Sequence, residues 1–270
     1  CLSRGLGDVY KRQINKERVA NISQEKTTFK DMLAALKNNK PFQLVIISYF
    51  LGFGRQMAMG IQVQSATVIL GSQNLVAVLG IVTAVGSMIS MALCPLLIKK
   101  LNERNAYILL SVYGFAASVF SFVIGHFWFK SPENTVLTVL FYISLFLIGL
   151  QFGAVTLMPM IMTADTVDYY EYETGKRMEG ACYSILTLTI KVCLALGTAV
   201  GLIFVQKSGY YEALSTGSFT TATKDIIFFA YTALPGILAL LSIVPMCKYD
   251  IVGEKKANIS NALAARRSAE

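Results

Sequence analysis

Long apolar runs broken by short polar and basic stretches organise this chain. Six runs reach the roughly 20 residues that a helix needs to cross a bilayer: 42–70, 75–98, 106–129, 135–163, 180–206 and 226–248. The pattern predicts an all-α integral membrane fold, a bundle of six transmembrane helices over residues 41–248. Residues 14–40 are polar and basic and read as a cytoplasmic linker, with a short amphipathic helix beginning at 28–36. Pro41 stands where a first span opens, a position that tolerates its missing N–H. Residues 249–270 read as a cytoplasmic tail. The first 13 residues, CLSRGLGDVYKRQ, are unlike the rest and read as a non-native, adapter-derived segment outside the fold.

Composition agrees. Of the 270 residues, 54% are hydrophobic and 15% charged, against about 25% charged in soluble domains. A net charge of +8 raises nucleic acid as a partner, but its distribution assigns it to a membrane face. Of the 24 Lys and Arg, 19 fall in residues 1–40, 99–105, 176–177 and from 248 onward, while Lys130, Lys207 and Lys224 are left for the opposite side. The positive-inside rule then makes both termini and both rich loops cytoplasmic, which six crossings allow. The cysteines form no metal-ligand spacing, and those in the spans read as small buried hydrophobes. His126, the single histidine, sits beside Trp128 and reads as part of an interfacial aromatic belt.

The remaining two cations, Arg55 and Lys191, lie deep inside apolar runs, and no run holds an acid to answer them. A charge there costs several kcal/mol unless it is paired or faces a water-filled cavity. Lys191 lies about 11 residues into its run, or about 17 Å deep at 1.5 Å per residue. Tyr183 and Thr187 precede it at helical spacing, so phenol, hydroxyl and ammonium share one face able to hydrogen-bond a sugar or a carboxylate. In the first run Arg55 and Gln62 are seven residues apart and share a face of a continuous helix. The glycines at 52, 54 and 60 read as close-packing positions. Thr156 and Pro159 mark the fourth run, where the proline is expected to kink the helix. With no His, Asp or Glu at depth, the chain lacks the nucleophile–base pair or metal ligands of a membrane-embedded enzyme.

The densest polar signal is ADTVDYYEYETGKRMEG, residues 164–180. Asp165, Asp168 and Glu171 share a face if the fourth helix continues past the membrane, and Arg177 and Glu179 follow at once. Breakable salt bridges are one reading. A divalent-ion site and a merely solvated loop are the others.

This stretch, followed by Thr187 and a lysine 14 residues after Arg177, resembles the glycoside–pentoside–hexuronide:cation symporters. These form the melibiose-permease-like branch of the major facilitator superfamily. The likeness runs from about residue 30 to 250 and matches the C-terminal six-helix half of a twelve-helix fold. It implies that Lys191 lies near first-half acids that bind a coupling cation (Na⁺, Li⁺ or H⁺), with no other cofactor. It also implies that Thr187 lies at or beside the sugar site. Asp165, Asp168, Arg177 and Glu179 would form a cytoplasmic network that closes in one state and opens in another. Thr156 and Leu186 depart from the melibiose-permease pattern, which has an aromatic residue and a glutamine there. The substrate implied is therefore another glycoside, pentoside or hexuronide, with Arg55 and Gln62 as positions of altered recognition. The expected partners are the sugar, the lipid bilayer and the N-terminal half of the same polypeptide, and the expected location is a bacterial-type inner membrane. The rival readings are a lipid or drug transporter of the same fold, and a self-contained six-helix homo-oligomer. The latter would bring one Lys191 near another.

Overall fold

The computed structural model describes residues 29–269, and every regular element among them is helical. The expectations for residues 1–13 and for most of the 14–40 linker lie outside the described residues. The short amphipathic helix expected from 28–36 is α1, Phe29–Asn38. Asn39 then caps α2 (Lys40–Leu51), its side-chain oxygen accepting from the Phe42 N–H at 3.1 Å. The same side chain is fully buried and donates to the Thr166 carbonyl at 2.8 Å, which ties the chain's entry to a distant helix.

The run at 42–70 is not the continuous helix expected. It breaks after Leu51 and again at Ile61, giving α2, α3 (Gly54–Gly60) and α4 (Gln62–Leu70), with a 51° bend at Ile61. Helix-weakening glycines sit at both breaks. Gly60 is pressed so closely on Thr198 that a Cβ would lie 2.4 Å from its hydroxyl. The shared Arg55–Gln62 face does not survive the bend.

The next two runs occupy one long element, α5 (Val76–Lys130), which reverses at Asn102 (φ 65°, ψ 164°). Gly86 packs against Phe146–Leu150 and Gly114 against Gln151. A straight helix would separate those contacts by about 40 Å at 1.5 Å per residue, so the limbs 76–101 and 103–130 fold back on each other. The polar 99–105 loop shrinks to a single non-helical residue, and asparagine is among the few side chains at ease at positive φ.

α6 (Thr135–Thr174) carries Pro159 inside it without a break in the helix. Its 40 residues extend about 60 Å, twice a ~30 Å hydrocarbon core. The turns after Thr163, where carboxylates begin, therefore project past the apolar stretch. α7 (Glu179–Lys207) returns, and α8 (Tyr210–Thr216) follows. The last run is α9 (Thr221–Phe228), a π-turn (Phe229–Ala233), α10 (Leu234–Leu241) and α11 (Ile243–Met246). Pro235 withholds the N–H that the carbonyl four residues earlier would receive, and the wider turn accommodates the gap. Among the described residues, four helical segments are long and apolar enough to cross a membrane, or five if the bent pair is one span. The tail is α12 (Gly253–Ala269), a helix packed on α6.

Among the described residues, two large apolar cores and a small one around Phe42, Val167 and Cys182 hold the bundle. Near one end, Trp128 stacks on Phe141 at 4.5 Å, and Phe129 and Phe228 join them. Trp128 is thus 9% exposed rather than a belt residue. His126 pairs with Asp225 at 2.9 Å, joining α5 to α9. At the other end Val45, Tyr107, Met158 and Tyr249 pack with Ile259 and Leu263 of α12. Backbones meet most closely on α6, where a Cβ on Gly153 would stand 2.1 Å from the Ser87 carbonyl oxygen and one on Gly149 2.3 Å from that of Thr83. Gly149→Ala is expected to destabilise by about 1–3 kcal/mol, because backbone cannot yield as a side chain can. Gly180→Ala, which meets nothing within 4 Å, is expected to be neutral or stabilising by up to about 1 kcal/mol. Thermal unfolding of both variants in detergent checks the pair.

Candidate functional site

The seam between α3 and α7 sets the geometry. A Cβ on Gly197 would meet the Met57 nitrogen at 2.6 Å, and one on Gly201 would meet Ile61 at 2.6 Å. These contacts advance together along both helices, so the two run parallel. In this register Lys191 lies level with Leu51, one turn, or about 6 Å along the axis, before Arg55.

Arg55 is 7% exposed. Its guanidinium carbon lies 5.1 Å from the centre of the Tyr49 ring, and Nη1 donates to the Thr156 hydroxyl on α6 at a long 3.5 Å. Gln56 holds Tyr49 in place by donating to the phenol oxygen at 2.7 Å. One turn further along α6, the Met160 carbonyl accepts from the Tyr183 hydroxyl of α7 at 3.2 Å. α6 and α7 are antiparallel there, so Thr187, one turn on from Tyr183, comes level with Thr156. The structure thus gathers Arg55, Thr156, Tyr183, Thr187 and Lys191 along adjoining faces of α3, α6 and α7. Thr156, Thr187 and Lys191 are exposed. Among the described residues, neither Arg55 nor Lys191 has a carboxylate partner. Gln62 stands apart, on the far side of the Ile61 bend, with its amide nitrogen against Gly80 of α5. Leu186, 1% exposed, is packed inside rather than on the open face.

The arrangement can hold an oxygen-rich solute. The two cations and the Thr187 hydroxyl can donate to hydroxyl or carboxylate oxygens, the Thr156 hydroxyl donates to the Phe152 carbonyl at 2.6 Å, and the Tyr49 ring stiffens the guanidinium. Tyr49 and Gln56 were not evident in the sequence, because their role is to position Arg55 and they carry no charge.

The acidic and basic residues past Thr163 form two networks, not one. Arg177 binds Asp168 at 3.0 Å, Glu171 at 2.6 Å and Glu179 at 3.1 Å. Arg267 of α12 adds a second contact to Glu171 at 3.1 Å. Burial pushes the Glu171 carboxyl up, but the hydrogen bonds from Arg177 and Arg267 outweigh it and hold it below the usual range. Asp165 belongs elsewhere. It shares Lys256 of α12, at 2.8 Å, with Glu103 from the Asn102 turn, at 2.5 Å. Burial, with smaller contributions from Glu103 and Asp168, outweighs Lys256 and pushes Asp165 up to about 6. Burial alone would lower Lys256, but its two carboxylates raise it.

Glu103, Lys256 and Arg267 were missed. A readable signal existed: Lys256, Ile259, Leu263 and Arg267 recur at helical spacing along one face, with both apolar members buried.

A folded-state value above 3.8 means that the folded chain takes up a proton at Asp165 more readily than the unfolded one. Its contribution to stability is therefore present below about 3.8 and is lost as pH rises through about 6. Asp165→Asn is expected to remove this pH dependence without lowering the melting temperature at pH 7. Lys256→Ala leaves two carboxylates facing each other. It is expected to cost about 1–3 kcal/mol, discounted because the lysine is part-exposed. Melting curves from pH 4 to 8 test both.

A family model described as MFS/sugar transport protein matches residues 9–253. The chain is 26% identical over 256 residues to the uncharacterized symporter YnaJ of Bacillus subtilis (strain 168), covering 93% of this chain and 52% of that protein. It is 26% identical over 245 residues to a lactose permease of Lactobacillus delbrueckii subsp. bulgaricus, covering 87% and 36%. It is 28% identical over 207 residues to an isoprimeverose transporter of Lactiplantibacillus pentosus, covering 72% and 39%. The chain spans about half the length, or less, of these curated relatives.

Proposed function

We infer the function from one premise: the chain belongs to the MFS/sugar transport protein family, whose members are multi-pass membrane transporters rather than enzymes. On that basis it works as the C-terminal half of a twelve-helix, cation-coupled sugar symporter. Its six crossings are α2–α4, the two limbs of α5, α6, α7 and α9–α11, with both termini on the cytoplasmic side of an inner membrane. The substrate is a glycoside, pentoside or hexuronide. The observation that carries this reading is the joint face of α3, α6 and α7, with two membrane-depth cations and exposed hydroxyls, and no acid of its own. Such sites lie near the midplane between two repeats that rock about them. The first half then supplies carboxylates for Lys191 and for the coupling cation (Na⁺, Li⁺ or H⁺), and closes the cavity over Thr156 and Thr187. That relatives include a lactose permease, an isoprimeverose transporter and a protein of Escherichia coli (strain K12) named "Putative sulfoquinovose importer" supports the sugar class. A lipid or drug cargo fits this polar face less well.

Arg177 and its three acids form the cytoplasmic gate in this reading, with Arg267 joined to it. Uptake of labelled sugars into proteoliposomes, driven in turn by Na⁺ and H⁺ gradients, tests the scheme in the polypeptide that carries both halves. Lys191→Ala is expected to abolish cation-driven accumulation. Arg55→Ala is expected to weaken sugar binding about 10–100-fold, the value of one charge-assisted hydrogen bond. Normal gradient-driven accumulation by Lys191→Ala sinks the coupling role.

A further inference from the structure

A cleft of about 540 Å³ opens between the two limbs of α5 and the side of α6, within the about 300–1,000 Å³ usual for ligand clefts. It lies away from the face just described. Leu150 and Ala154 on its wall share one stripe of α6, and Thr156 is about 200° round the axis from Ala154. The walls are apolar, Leu93, Leu97, Leu110 and Leu147 among them, with Lys100 at one end and Ser90 at the other. The few polar groups inside are engaged. The Tyr113 hydroxyl donates to the Leu147 carbonyl at 3.0 Å, and the Ser90 oxygen accepts from the Ala154 N–H at 3.2 Å.

Length and charge identify the occupant. Lys100 and Ser90 are ten residues apart on one helix, or about 15 Å, half of a ~30 Å hydrocarbon core. The cleft therefore has the depth of a single leaflet, and it starts at the Lys/Arg-rich face. Lys99 and Lys100 are exposed there, and among the described residues neither has an acidic partner. The carboxylate next in sequence, Glu103, is held by Lys256, and Arg104 donates to the Tyr249 carbonyl at 3.3 Å. An apolar slot one leaflet deep with a free double lysine at its mouth matches an acyl chain beneath an anionic headgroup.

We propose that this cleft binds an anionic phospholipid of the leaflet on the Lys/Arg-rich face, one acyl chain along the leucine walls and the phosphate at Lys100 and Lys99. The site is independent of the roles given to Arg55 and Lys191. To test it, the polypeptide that carries both halves is placed in nanodiscs of equal phosphatidylglycerol and phosphatidylcholine, extracted into detergent, and its retained lipid is weighed by native mass spectrometry. The expected result is that phosphatidylglycerol dominates, and that Lys99→Gln with Lys100→Gln lowers its ratio to phosphatidylcholine by about ten-fold. Leu93→Trp fills the cleft from a position 53% exposed, and is expected to cut total retained lipid. Equal retention of both lipids, a ratio unmoved by the double substitution, or unchanged retention in Leu93→Trp overturns the proposal.

Discussion

The energetic penalty for an unanswered charge in a low-dielectric interior governs this structure. Past Thr163 every carboxylate on the inner face of α6 finds a cation within salt-bridge distance. Within the apolar runs the rule is reversed: Arg55 has a ring and a distant hydroxyl, and Lys191 is exposed among helices. Both cations are fixed in place by the glycine seam of α3 and α7, so their positions are imposed by packing and not relieved by side-chain movement. A lysine about 17 Å deep cannot readily snorkel to either interface. The open face therefore requires solute, ion or further protein, and this requirement links the helix packing to transport.

Much of the architecture was legible because membrane crossing is set by a length and a hydropathy, and both are local properties. The start of α6 and both ends of α7 follow from them directly, whereas α6 runs on past 163 to Thr174 through its charged segment. The misread places depend on non-local contact. Nothing in the run of apolar residues at 42–70 reveals that Thr198 will press on Gly60, so the bend at Ile61 and the separation of Gln62 from Arg55 were invisible. The pattern KKLNERN marks a polar turn but not that one residue, Asn102, completes it. The face gathered around Thr156 was foreseeable in its members. Its supports, Tyr49 and Gln56, were not, because neutral positioning residues look like any other buried pair.

The tail was the largest surprise. Its low mean hydropathy invites a solvated reading, yet only one face needs to be apolar for a helix to dock. Ile259 and Leu263 supply that face, and Lys256 and Arg267 flank it with charges that reach opposite ends of the acidic segment of α6. Splitting the acids between two cations follows from geometry. Asp165 and Glu171 are six residues apart, about 9 Å along the axis, too far for one side chain to serve both.

The members of the two networks also differ in exposure. Arg177, Asp168 and Glu179 keep a third or more of their side chains in solvent, at 34%, 43% and 55%. Pairs so exposed contribute about 0–1 kcal/mol each and break at small cost. Glu103 and Asp165 are 7% and 10% exposed. Stripping Lys256 from them would strand two acids in a poorly solvated pocket, a far larger penalty. Lys256 therefore behaves as the anchor of α12, binding the tail to α6 and to the Asn102 turn as one unit. The Arg177 cluster, at the junction where α6 gives way to α7, is mixed: its contacts to Asp168 and Glu179 are exposed, whereas Glu171, 11% exposed and 2.6 Å from Arg177, is as enclosed as Asp165 and is shared with Arg267 of α12. Each network therefore has one enclosed acid held by a tail cation, and the solvent-exposed pairs are confined to the Asp168 and Glu179 contacts.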